Sequence, residues 1–106
     1  MFIDKETVDA SSLRNGHTTV GTSAQKLTDL TTKVVKGILL RCPGSVDPVS
    51  NTAPVWIGGP AVTADSSETG GIPILPGDSM MVPLERLDSL YVISTATNQD
   101  IAWLSI

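Results

Sequence analysis

Lys33-Val34-Val35-Lys36-Gly37-Ile38-Leu39-Leu40-Arg41-Cys42 is the stretch on which the fold turns. Aliphatic and β-branched residues fill it, and Pro43-Gly44 stops it. A strand sends successive side chains to opposite faces. That period places Ile38, Leu40 and Cys42 on one face, with Gly37, Leu39 and Arg41 on the other. The reading is a strand over residues 33–42 with one face in a core.

Toward the N-terminus, His17-Thr18-Thr19-Val20-Gly21-Thr22 reads as a strand and Ser23-Ala24 as a kink. Gln25 to Leu30 reads as a further strand or a loop. Residues 1–16 differ in character: an apolar tip, Met1-Phe2-Ile3, precedes a polar stretch from Asp4 to Gly16 with little periodicity. These residues read as an arm, and residues 17–106 as the domain it extends from.

Toward the C-terminus, residues 43–53 form a loop rich in Pro, Ser, Asp, Asn and Thr. Val55-Trp56-Ile57 is a short strand closed by Gly58-Gly59-Pro60, and Ala61-Val62-Thr63 a shorter one. A polar loop, 64–71, leads into Ile72-Pro73-Ile74-Leu75, where proline argues for a sheet edge. Pro76-Gly77 marks a turn. Asp78 to Leu84 reads as a strand with Met80, Val82 and Leu84 on one face. Arg86 to Ser89 makes a connection of one helical turn. Leu90–Thr95 and Asp100–Ile106 are the last two strands, joined through Asn98-Gln99.

About eight short strands at roughly 8–12-residue spacing, with no helix long enough to cover a sheet, predict an all-β chain. The expected fold is a single two-sheet β-sandwich of jelly-roll type with an extended N-terminal arm. Ile38, Leu40, Val82, Leu90, Val92 and Leu104 are the expected core, and Trp103 joins them.

Composition agrees. The 106 residues suffice for one domain. Ten Val, eight Ile and twelve Thr, with nine Gly and seven Pro, favour strands and tight turns over long helices. Charged residues make up 17% of the chain, so its surface is richer in Ser and Thr than in charge. The net charge is −4, and seven scattered Lys and Arg cannot build the basic footprint that nucleic acid or an anionic membrane demands. No apolar run approaches the ~20 residues of a membrane helix.

The chemistry-bearing residues are few. A lone cysteine, Cys42, permits no internal disulfide and lies on the apolar face of its strand, which reads as a small buried hydrophobe. A lone histidine, His17, cannot hold zinc without partners. The eleven carboxylates are scattered, with Asp29, Asp47, Asp65, Asp78, Asp88 and Asp100 in or beside turns, where Asp caps main-chain amides. Asp65-Ser66-Ser67-Glu68 lacks the alternating acids of a calcium loop and reads as a solvated loop. Gly58-Gly59 and Gly70-Gly71 open no helix and precede no lysine, so neither cradles phosphate. No catalytic residue, cofactor or metal is expected. Trp56 points outward if Val55 and Ile57 point inward, and it could then stack on a sugar, pack on a protein neighbour or sit under a rim loop. Tyr91 alternates likewise against Leu90 and Val92.

Several features occur together and in order. They are Thr19-Val20-Gly21-Thr22-Ser23-Ala24-Gln25-Lys26-Leu27, Val35-Lys36-Gly37-Ile38-Leu39-Leu40-Arg41, and Val55-Trp56-Ile57-Gly58-Gly59 with Val62-Thr63. Gly71-Ile72-Pro73-Ile74-Leu75-Pro76-Gly77-Asp78-Ser79, Leu90-Tyr91-Val92-Ile93-Ser94 and Ile101-Ala102-Trp103-Leu104 follow. Residues 18–106 thus resemble the small β-sandwich virion proteins of tailed bacteriophages, which serve as capsid decoration (cement) proteins or as parts of head fibres, necks and tails. The resemblance implies a structural, non-enzymatic protein, made in the host cytoplasm and carried on the capsid surface. It implies two partners: the major capsid protein and further copies of the chain, as trimer or dimer. Met1, Phe2, Ile3, Trp56 and Tyr91 are the expected interface residues. A head-fibre, neck or baseplate component and a carbohydrate-binding module are the alternatives.

Overall fold

The computed structural model describes residues 14–30 and 37–105. Eight strands run in chain order: β1 (Asn15–Val20), β2 (Gln25–Lys26), β3 (Ile38–Arg41), β4 (Val55–Gly58), β5 (Ile72–Ile74), β6 (Ser79–Val82), β7 (Tyr91–Ser94) and β8 (Gln99–Ser105). A single 3-10 turn, Leu87–Ser89, precedes β7 and buries Leu87. Helix is otherwise absent among the described residues.

The strands form two antiparallel four-stranded sheets, β1-β8-β3-β6 and β2-β7-β4-β5. The first strand pairs with the last, the second with the seventh, the third with the sixth and the fourth with the fifth. That is a long double ribbon rolled into two layers, the jelly-roll order of two Greek keys. One end of the sandwich therefore carries the β1–β2, β3–β4, β5–β6 and β7–β8 connections. The other carries β2–β3, β4–β5 and β6–β7.

The core lies between the sheets. Ile38, Leu40, Cys42, Val20, Ile101 and Trp103 face it from the first sheet, and Leu27, Val55, Ile57, Ile74, Leu90 and Val92 from the second. Met80, Val82 and Leu84 pack against its margin, half-buried. Each fully enclosed aliphatic side chain contributes about 1.5–3 kcal/mol relative to exposure.

Several boundaries depart from the sequence reading. β1 begins at Asn15 and ends at Val20, so Asn15 and Gly16 belong to the sheet and not to the arm. β3 is described from Ile38, while residues 33–36 lie outside the described residues. Ala61-Val62-Thr63 forms no strand: Thr63 makes one isolated parallel bridge to Gly70, because the chain there closes on itself as a loop. Leu104 is not core. In β8 the inward positions are Gln99, Ile101, Trp103 and Ser105, and a period of two sends Leu104 to the opposite face, beside Leu39 and Asn15. Trp103 and Leu104 cannot both face inward on one regular strand.

Trp103 fits because its neighbour across the ladder is Gly16. A Cβ at Gly16 would stand 2.9 Å from Cζ2 of the indole. A second local device replaces a missing strand. β3 stops before Pro43, leaving Asp100 of β8 without a strand partner on that side. The Asn51 carboxamide takes the place of one: its Nδ2 donates to the Asp100 carbonyl at 2.8 Å, and its Oδ1 accepts from the Asp100 N–H at 2.8 Å. Gln99 Oε1 similarly accepts from the main-chain N–H groups of Thr52 and Ala53. The loop 43–54 is thereby tied to β8 through buried polar groups, as burial requires.

Candidate functional site

The described residues bring few reactive groups together. His17 stands on the outward face of β1, and its Nδ1 lies 2.9 Å from Oδ2 of Asp100 on β8. An aspartate-oriented imidazole is two parts of a nucleophilic triad. The third part is missing among the described residues: no hydroxyl or thiol is hydrogen-bonded to the ring. The side chain is also 68% exposed, so bulk water surrounds it. Cys42 is wholly buried, and desolvation pushes its thiol up to about 11, which keeps it protonated and unreactive. His17 and Cys42 lie on opposite faces of the same sheet.

The carboxylates do structural work where their bonds are defined. Asp47 takes a bidentate grip from Arg41, at 3.1 and 2.9 Å, and accepts the Gly44 N–H at 2.7 Å. The Arg41 hydrogen bond, then that of Gly44, holds its carboxyl below the ordinary 3.8. Asp65 Oδ1 accepts from the Thr63 hydroxyl and from the hydroxyl and N–H of Ser67. Those bonds, the Ser67 hydroxyl foremost, lower the Asp65 carboxyl too. The loop 63–70 is closed around this carboxylate, with Thr63 N–H donating to the Thr69 carbonyl and Gly71 N–H to the Thr63 carbonyl. Among the described residues no group of three or more His, Cys, Asp or Glu gathers in reach of one ion.

A shallow cleft of about 360 Å3 lies between the two arms of the β4–β5 loop, lined by Gly58 to Val62 and Glu68 to Gly71. Its walls are mostly main chain, and Glu68 is its one ionisable side chain. It holds a small volume without the converging polar side chains of a ligand site.

Trp56 does point outward, since Val55 and Ile57 are buried on the other side of β4. It stands between Pro73 and Ile93 on the neighbouring strands and is half-buried. Its Nε1–H is enclosed, with no hydrogen-bond partner. Tyr91 is outward and half-buried, opposite Gly58. Val62 folds over Gly58, where a Cβ would meet its Cγ2 at 2.8 Å. Ile93 and Val62 are buried on this outer face, apart from the main core. Trp56 thus sits half-buried in an apolar strip, with its indole N–H enclosed. Met1, Phe2 and Ile3 lie outside the described residues.

Sequence reasoning passed over the aliphatic groups that are most exposed. Val46 is 88% and Val49 76% exposed, both on the β3–β4 loop. Leu75, 52% exposed, begins the β5–β6 turn at the same end of the sandwich. The two segments are joined: Cys42 N–H donates to the Asp78 carbonyl at 3.0 Å, and Gly77 N–H to the Cys42 carbonyl at 2.8 Å. Gly44 lies so close to Gly77 that a Cβ on it would stand 2.6 Å from the Gly77 Cα. The Arg41–Asp47 pair, the Asp47 N–H to Gly44 carbonyl bond and the Asn51 N–H to Pro43 carbonyl bond fix the loop that presents the valines. The signal was present in the sequence: two valines in a Pro/Ser/Asp loop have no periodic partner to bury them.

No family model, curated protein or solved structure matches the chain.

Proposed function

We propose that this chain is a structural protein of a tailed-phage virion, a capsid decoration protein that binds the major capsid protein lattice and stabilises it. The observation that carries the reading is the exposure of Val46 and Val49 on a hydrogen-bonded loop. Isolated surface aliphatics are ordinary. Two on a loop braced by an ion pair, main-chain bonds and Asn51 are preorganised for contact, and preorganisation lowers the entropy lost on binding. The jelly roll supports the same reading by analogy, since capsid domains use it. So does the resemblance carried by residues 18–106.

The mechanism is mass action. A subunit that binds the expanded lattice and not its precursor lowers the free energy of the expanded state. The buried and bonded side chains keep the module's shape while its loop tips engage. The half-burial of Trp56 and the enclosure of its indole N–H argue against a sugar-stacking platform.

Capsid shells produced from the same genome, before and after expansion, supply the test. The chain is expected to sediment with expanded shells and to stay in solution with unexpanded ones. A Val46→Ser/Val49→Ser double variant should bind about tenfold or more weakly at an unchanged melting temperature. Failure to sediment with either shell overturns the proposal. Copy number in purified particles separates decoration from a fibre, neck or baseplate role: near that of the capsid protein for the first, far smaller for the others.

A further inference from the structure

The four sheet edges are not alike. Ser105 N–H donates to the Arg14 carbonyl at 2.7 Å, which sets the parity of the β1–β8 ladder. Main-chain groups of the even-numbered β1 residues face β8, and those of Asn15, His17 and Thr19 face away from the sheet. The Thr19 carbonyl confirms this, for it accepts from Gln25 Nε2 outside the ladder, at 3.0 Å. Among the described residues nothing pairs with the main chain of Asn15 or His17.

The other edges are shorter than the six residues of β1, and some are interrupted. Cys42 N–H donating to the Asp78 carbonyl turns Ser79 and Met81 outward along β6, a four-residue strand that Pro83 closes directly after Val82. The Leu27 N–H to Leu90 carbonyl bond, carried through β7 and β4, turns Pro73 outward along β5. Proline has no N–H to offer an incoming strand. β2 is two residues long and carries Lys26. β1, Asn15-Gly16-His17-Thr18-Thr19-Val20, has neither proline nor lysine.

The geometry points to β1 as a strand-addition site whose occupant is β1 of a second copy, antiparallel about a two-fold axis at Gly16. This register places Asn15 opposite His17 of the second copy on both sides of the axis. It gives four main-chain hydrogen bonds and leaves Thr19 with Gln25. A two-fold axis sets each residue near it against its own kind, so a charged edge repels itself. β1 has no Asp, Glu, Lys or Arg, and the −4 charge of each copy lies elsewhere. Self-pairing of β2 would oppose Lys26 to Lys26. The outcome is one continuous eight-stranded sheet across the dimer. This inference stands on the ladder alone and holds whether or not the chain binds a capsid.

Sedimentation equilibrium of the full chain should show reversible dimerisation across the micromolar to millimolar range. His17→Pro, which removes an edge N–H at an exposed position, should weaken it about tenfold or more. Register is read by oxidising cysteine variants. Hydrogen-bonded pairs stand about 5.5 Å apart at Cα, within disulfide reach. Asn15→Cys mixed with His17→Cys should cross-link to a heterodimer, while either variant alone should not. A strictly monomeric chain overturns the inference, as does either variant cross-linking to itself as readily as to the other. An unchanged dimer in a folded His17→Pro variant overturns it too. If that variant does not fold, the cysteine mixture decides.

Discussion

Leu40 and Gly16 show how differently two residues can announce themselves. Leu40 is wholly buried and pairs with Trp103 and Met80 across two ladders. Its role was legible because alternation in the Ile38–Cys42 run can be read without knowing any partner. Leu40→Ala should cost about 2–5 kcal/mol in urea unfolding, a large share of the roughly 5–15 kcal/mol that holds a domain together. A loss below half a kcal/mol would mean the site collapses without a cavity. Gly16 gave no such signal. Its constraint is the indole of Trp103, from the far end of the chain, and only the fold brings them together. Gly16→Ala puts a methyl group where the indole lies and should cost about 1–3 kcal/mol. The cause can be read in the tryptophan fluorescence, which should shift as the indole is displaced; an unchanged midpoint and spectrum would mean the indole has room to move.

At the scale of elements, strands were legible where a two-residue period met a clear stop, as in β3, β4 and β6. They were illegible where the partner decides. Leu104 reads as core from hydrophobicity, and the neighbouring Trp103 takes the inward position instead. The β3–β4 loop held the least sequence signal, because its order comes from Asn51 and Gln99 bridging it to β8 and from Asp47 closing it on Gly44. That loop should answer to acid. Asp47 titrates below its ordinary 3.8 in the fold. A lowered carboxyl stabilises the fold at pH above the unfolded value, and this contribution disappears as pH falls through the folded one. Melting temperature should therefore drop as pH falls below about 4. Asp47→Asn should melt lower than the parent at neutral pH and should lose less on acidification. Parallel acid slopes for the two proteins would place the sensitivity elsewhere, Asp65 being the next group to test.

For the whole molecule, the ladder closes the chain from β1 to β8, so β1 and β3 each lack a neighbour until the last strand arrives. Topologies dominated by such distant pairing fold slowly, on the order of milliseconds to seconds. The two-layer architecture was legible from composition and strand spacing; the exposed pair Val46 and Val49 was passed over, because it belongs to no periodic element. Cys42 turns this architecture into a clock. Its thiol is sealed between the layers, so a disulfide reagent can reach it only while the layers are apart. When reclosing outpaces the chemistry, the labelling rate is the opening equilibrium multiplied by the rate of a free thiol. Stability can then be timed in plain buffer, without denaturant. Gly16→Ala should speed labelling by the same factor by which it raises the unfolding constant, and labelling that runs at the free-thiol rate in the parent protein would show that the seal at Cys42 is not closed in solution.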